Sequence, residues 1–129
     1  MLCYGTMVEP ALEAADLLLS QSGLHIGVVN ARFAKPLDVP LITRLISAGR
    51  PVLCCEEHAI AGGFGSAVLE LAASRSLSTA NVRLIGLPDR YVHHASREEQ
   101  LAEVGLEPAN MAATIKEMIV ARPGKKLIV

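Results

Sequence analysis

Three short apolar runs limit what this chain can become: "HIGVVN" (25–30), "PVLCCE" (51–56) and "NVRLIGLP" (81–88). None alternates strictly between apolar and polar residues, so each reads as a strand covered on both faces. Amphipathic segments separate them. Residues 8–21 place Ala11, Leu12, Ala15, Leu18 and Leu19 at helical spacing, with Gly23 to end the helix. Asp38 is positioned to cap a second helix, which has Pro40 in its first turn, buries Leu41, Ile42, Leu45 and Ile46, and stops at Gly49. A third helix, from about Gly63 to Arg75, turns Val68, Leu69 and Leu71 inward. Ser96 and Glu99 form a capping-box pair for a short helix that Gly105 ends, and Pro108 begins a last helix with Met111, Ile115, Met118 and Ile119 on one face. With "MLCYGT" (1–6) as a first strand, the order is β-α-β-α-β-α-β-α. That order predicts an α/β fold: a mainly parallel sheet of about four strands in a three-layer α/β/α sandwich. The reading places one domain over 1–121 and a basic tail, "RPGKKLIV", over 122–129, either solvated or added late as an edge strand.

Composition removes several function classes. About half the chain is hydrophobic, enough for a core, and the net charge is -1. No basic stripe with interleaved aromatics is present, so nucleic acid is not an expected partner. Arg122, Lys125 and Lys126 cluster only in the tail. The apolar runs are too short to span a membrane, and "MLCYGTMVEP" has neither the basic region nor the cleavage site of a signal peptide. Three cysteines, two of them adjacent, suit reduced thiols in a cytoplasmic protein better than a disulfide framework. A core strand at the very first residues leads us to expect a piece of a longer protein.

In an open parallel sheet the chemistry gathers at the carboxyl ends of the strands. Four loops share that edge: Gly5-Thr6-Met7, "ARFAKPLD" (31–38), "EEHAIAGGFGS" (56–66) and "LPDRYVHHAS" (87–96). Glu56 and Glu57 are adjacent in a strand and point to opposite sides, which argues against a paired acid and base. One of them is expected to face a partner or the neighbouring connector, where Lys35 is available. Gly62, Gly63 and Gly65 do not complete a dinucleotide fingerprint, because position 68 is Val, and no phosphate-loop lysine follows. They fit a tight strand-to-helix turn, with a weak anion site at the helix N-terminus as the alternative. Cys54 and Cys55 read as buried structural thiols and lack the spacing of a zinc site. His93 and His94, after Asp89, read as surface or interface groups, and His25 as structural. These residues contain no complete catalytic set.

The segments "VVNARFAKPLD" (28–38), "EEHAIAGGFGSAV" (56–68) and "IGLPDRYVHHASREEQLAEVGL" (85–106) occur in the order seen in one family. Together with "CYGTMVEPALEAADLL" (3–18) they resemble the C-terminal domain of the 1-deoxy-D-xylulose 5-phosphate synthases, thiamine-diphosphate enzymes of the transketolase superfamily. "KPLD" and the glutamate-glycine element are shared with transketolases and with the β subunits of 2-oxo-acid dehydrogenases, which stand as alternatives. The resemblance implies strand order 2-1-3-4 and a first antiparallel strand preceding Met1. Loss of that strand would leave a sheet edge open to self-pairing or tail capping. It implies a parent enzyme that condenses pyruvate with glyceraldehyde 3-phosphate, releases CO2, and feeds isoprenoid, thiamine and pyridoxal phosphate synthesis. Thiamine diphosphate and Mg²⁺ would be held by upstream domains, so no catalytic, cofactor or metal residue is expected here. This chain would then be an inactive assembly domain of a cytoplasmic homodimer. Lys35, Glu56, Glu57, His58, Gly62, Gly63, Gly65, Asp89 and His93 are the candidates for contact with the rest of the enzyme. A reading of another class keeps the chain independent, binding an anion or nucleotide at Gly62 to Ser66.

Overall fold

A computed structural model describes residues 1–121; the basic tail lies outside the described residues. β1 (Leu2–Cys3) leads through a 3-10 turn (Gly5–Met7) into α1 (Val8–Ser22). There follow β2 (Val29–Asn30), α2 (Val39–Ser47), β3 (Val52–Ala59), α3 (Phe64–Ser74), β4 (Val82–Leu87), α4 (Arg97–Glu103) and α5 (Pro108–Val120). The sheet is parallel throughout, in the order β2-β1-β3-β4. Among the described residues β2 pairs only with β1, so its outer side is a sheet edge.

Side chains alternate across the sheet as strand geometry requires. Cys3, Leu53 and Cys55 join Ala11, Ala14 and Leu18 of α1 and Met111, Ile115 and Met118 of α5 in one core. Leu2, Val52 and Cys54 join Ile42 and Ile46 of α2 and Phe64, Val68 and Ala72 of α3 in the other. Two apolar cores on opposite faces of one sheet are the three layers expected from the sequence.

The helix ends follow their local signals. Asp38 Oδ1 accepts from Leu41 N at 3.0 Å and caps α2. Ser96 and Glu99 close a reciprocal capping box on α4. Gly23 ends α1 with φ +65°, in the left-handed region where glycine carries no side-chain penalty.

The strands depart more from expectation. β1 is confined to two residues, because Gly5 (φ +62°) turns the chain into the 3-10 segment. β2 covers only the last two residues of "HIGVVN", since β1 offers it so short a ladder: Val29 N donates to Met1 O and Ala31 N to Cys3 O. β3 runs three residues beyond the expected strand, to Ala59, and its pairing with β4 shifts register between Cys55 and Ala59. That irregularity lies at the carboxyl edge, where such shifts re-aim side chains.

Candidate functional site

The carboxyl edge is organised by two consecutive glutamates near the end of β3, Glu56 and Glu57. They do point to opposite sides, but the structure gives them unlike environments.

Glu56 is a correction to the expected set of edge groups. It is only 2% exposed, the one buried charged residue among those described, and its carboxylate turns inward onto α3. Phe64 N donates to Oε2 at 2.6 Å and Gly65 N donates to Oε1 at 2.8 Å. A helix presents unsatisfied amides at its start, and here a carboxylate eight residues upstream takes two of them. Three glycines make room for it. A Cβ on Gly63 would run into Ala59 O and the Glu56 carboxylate itself. One on Gly65 would sit 2.8 Å from Leu84 Cδ2, and one on Gly86 2.8 Å from His58 O and 3.1 Å from Glu56 Cγ. Gly86 was not singled out in the sequence; its only signal was a glycine inside a strand, which marks close backbone approach.

The same geometry overturns the anion-binding alternative. Gly62 N donates to Ser66 Oγ at 3.0 Å, Gly63 N to Ile60 O, and the next two amides to Glu56. Every amide a phosphate would use from 62 to 65 is already engaged, and the nearest side chain is an anion. The glycines serve a tight strand-to-helix turn; Gly62 adopts φ +74°. Gly63 is half-buried, Gly65 fully, so these two belong to the interior of the turn and Gly62 to its surface.

Glu57 faces the loops. Arg97 at the start of α4 grips it with two hydrogen bonds, Nε to Oε1 at 2.8 Å and Nη2 to Oε2 at 2.6 Å, and the Thr6 hydroxyl donates to Oε2. The guanidinium holds the Glu57 carboxyl below its ordinary range against the raising effect of partial burial, with Thr6 adding to the lowering. This clasp ties the β1, β3 and β4 loops together. Lys35, the expected partner, is exposed and takes no part in the ion pairs among the described residues. Arg97 was missed because no local spacing announces a contact made across 40 residues of sequence.

His58 and Asp89 are exposed at the edge. In the β4 loop, Arg90 Nη1 donates to Glu103 Oε1 at 2.6 Å, and His93 Nδ1 lies 3.6 Å from the same oxygen. Gln100 Nε2 donates to His93 O. Two aromatic residues complete the edge: Phe33 in the β2 loop is 62% exposed and Tyr91 in the β4 loop fully so. β2 and β4 are the outer strands of the sheet, so these two residues follow its opposite edges. Tyr4 and Phe64, by contrast, stack inside at 5.4 Å and pin the start of α3 to the end of β1.

Cys54 is buried on the α2/α3 face, and burial pushes its thiol up to about 12. Among the described residues no three His, Cys, Asp or Glu side chains gather to hold a metal ion, and no helix is long and apolar enough to cross a membrane.

Residues 1–111 match the model of the family described as transketolase, C-terminal domain. The 1-deoxy-D-xylulose-5-phosphate synthase of Synechococcus sp. (strain JA-2-3B'a(2-13)) is 48% identical over 122 residues, which cover 95% of this chain and 18% of that protein. The synthase of Acaryochloris marina is 42% identical over 128 residues, covering 99% and 20%, and that of Geobacillus thermodenitrificans 41% over 119 residues, covering 92% and 19%. A solved structure described as a split gene transketolase, inactive beta4 tetramer, superposes with a TM-score of 0.80 at 28% identity over 92% of this chain and 38% of its own. The chain thus spans about a fifth of the length of these curated relatives.

Proposed function

The chain belongs to the transketolase C-terminal domain family, and from that premise we propose that it is the assembly domain of a 1-deoxy-D-xylulose-5-phosphate synthase. The parent would condense pyruvate with glyceraldehyde 3-phosphate and release CO2 in the cytoplasm as a homodimer. Thiamine diphosphate and Mg²⁺ would be bound by other domains. The observation that carries this reading is the lopsided match: nearly all of this chain against about a fifth of each synthase.

The carboxyl edge supports a docking role. Glu56 is committed to α3 and Glu57 to Arg97, so the most conspicuous carboxylates work within the domain. What the edge offers outward is Phe33, Tyr91, Lys35, His58 and Asp89, a mix of aromatic anchors and polar groups typical of an interface. His93 and Gly62 are exposed as well. Identities of 41–48% to the synthases favour them over a 2-oxo-acid dehydrogenase β subunit as the parent.

The test has two arms. The purified 129-residue chain, given pyruvate, glyceraldehyde 3-phosphate, thiamine diphosphate and Mg²⁺, should form no product and show no cofactor binding by calorimetry. Turnover by the isolated chain would falsify the assembly reading. Exchanged for the matching segment of the Synechococcus synthase, the chain should support activity, and Phe33→Ser with Tyr91→Ser should loosen the assembled enzyme while leaving the melting of the isolated chain unchanged.

A further inference from the structure

The geometry points to a site of reversible oxidation inside the sheet: a disulfide joining Cys3 of β1 to Cys55 of β3. The two residues are register partners in a parallel pair. Adjacent strands run about 4.8 Å apart, inside the Cα separation of roughly 4.4–6.8 Å that disulfides span. Both thiols lie on the α1/α5 face, in the same core cluster, and each is 0% exposed. Cys55 Sγ lies 3.7 Å from Leu53 O, so its only hydrogen-bond partner among the described residues is a carbonyl of its own strand. Cys54, next in sequence, points to the opposite core and faces neither of them.

The two thiols are unequal. Interaction with Cys55 draws the Cys3 thiol down, while the same interaction and burial push the Cys55 thiol up. Cys3 is therefore the attacking sulfur and Cys55 the resolving one. With a peroxide as oxidant, Cys3 thiolate attacks one oxygen and breaks the O–O bond. The leaving oxygen takes up a proton to give water, and Cys3 becomes a sulfenic acid. Cys55 then attacks that sulfur and displaces the second oxygen, which leaves as water with the Cys55 proton. Two thiols and one hydrogen peroxide give one disulfide and two waters.

Because neither thiol is exposed, the reaction waits on opening of the short β1–β3 ladder and is slow in the folded chain. In a parallel pair, Cβ atoms sit about as far apart as the strands, somewhat beyond the ~3.8 Å that a relaxed disulfide prefers. The bond is consequently strained and readily reduced, which suits a reversible modification rather than a permanent staple.

The experiment exposes the full 129-residue chain to hydrogen peroxide under native conditions and then alkylates it with iodoacetamide in denaturant. The expected product has lost the mass of two hydrogens, alkylates at Cys54 alone, and regains all three reactive thiols with dithiothreitol. Cys54→Ala should retain the mass loss, which guards against a Cys3–Cys54 link in the unfolded fraction. Three alkylated cysteines after exposure, oxidation confined to Cys54, or a linked population no larger than that formed in denaturant would each overturn the proposal.

Discussion

Replacing Glu56 with Ala should cost more stability than any exposed change at this edge. The substitution removes the acceptor of two buried helix amides, Phe64 N and Gly65 N. Each buried donor left without a partner costs about 1–3 kcal/mol. Part of that is returned because a carboxylate is no longer held out of water and because water can enter the space left behind. The net expectation is a loss of about 2–4 kcal/mol from a domain whose total stability is of order 5–15 kcal/mol. Glu56→Gln retains one carbonyl acceptor but sets an amide NH2 against the second N–H, so it should fall between the parent and Glu56→Ala, near 1–2 kcal/mol. Urea unfolding followed by circular dichroism, extrapolated linearly to water, measures both. Glu57→Ala serves as the internal control, because it removes only the clasp to Arg97 and Thr6 and should cost clearly less. If Glu56→Ala lies within about 0.5 kcal/mol of the parent, or Glu57→Ala proves the more damaging, the helix-capping account of Glu56 is wrong.

Gly65→Ala should destabilise by about 1–3 kcal/mol through overpacking, since its Cβ would press on Leu84 Cδ2 at 2.8 Å; the same denaturation series reads it, and a neutral result would show that Leu84 can move aside. The Glu57 carboxyl is held low in the folded chain, so its contribution is present above the ordinary value of 4.5 and is lost as pH falls through the lower folded value. Melting temperature should drop in that acid window, and Glu57→Gln should flatten part of the drop; an unchanged acid limb would contradict the clasp. Asp38→Ala, which removes the cap on Leu41 N, should cost about 1 kcal/mol, and Asp38→Asn should restore most of it.

The sandwich was legible because its signals are local. Unalternating apolar runs, helical spacing, Asp38 before Pro40 and the Ser96/Glu99 box each speak within a few residues, and each is found in place. Strand lengths were less legible, because a strand extends only where a neighbour pairs with it; "HIGVVN" has strand character throughout but a two-residue ladder against β1. The site was half legible. That Glu56 and Glu57 diverge follows from the pleat, but which of them faces inward depends on where α3 begins in space. Lys35 was a reasonable partner by proximity of loops; the partner is Arg97, brought in by the β4 connection. Exposure of Phe33 and Tyr91 carried no pattern at all, since an aromatic residue in a loop is as often a lid on the core as an outward anchor.

The buried carboxylate of Glu56 amounts to a ligand that the chain carries on its own tether, so that its binding to the α3 amides is intramolecular. Cutting the tether should turn an intramolecular contact into a binding equilibrium. In Glu56→Gly the α3 amides would face an empty cradle of about the size of a small carboxylate. Acetate or formate, titrated into that variant, should stabilise it by RT ln(1 + [L]/Kd), so that its melting temperature keeps rising with the logarithm of ligand concentration above Kd, while leaving the parent untouched. A loop that now excludes anions would then bind one, which makes this domain a scaffold on which a chemically rescued, ligand-dependent fold can be built.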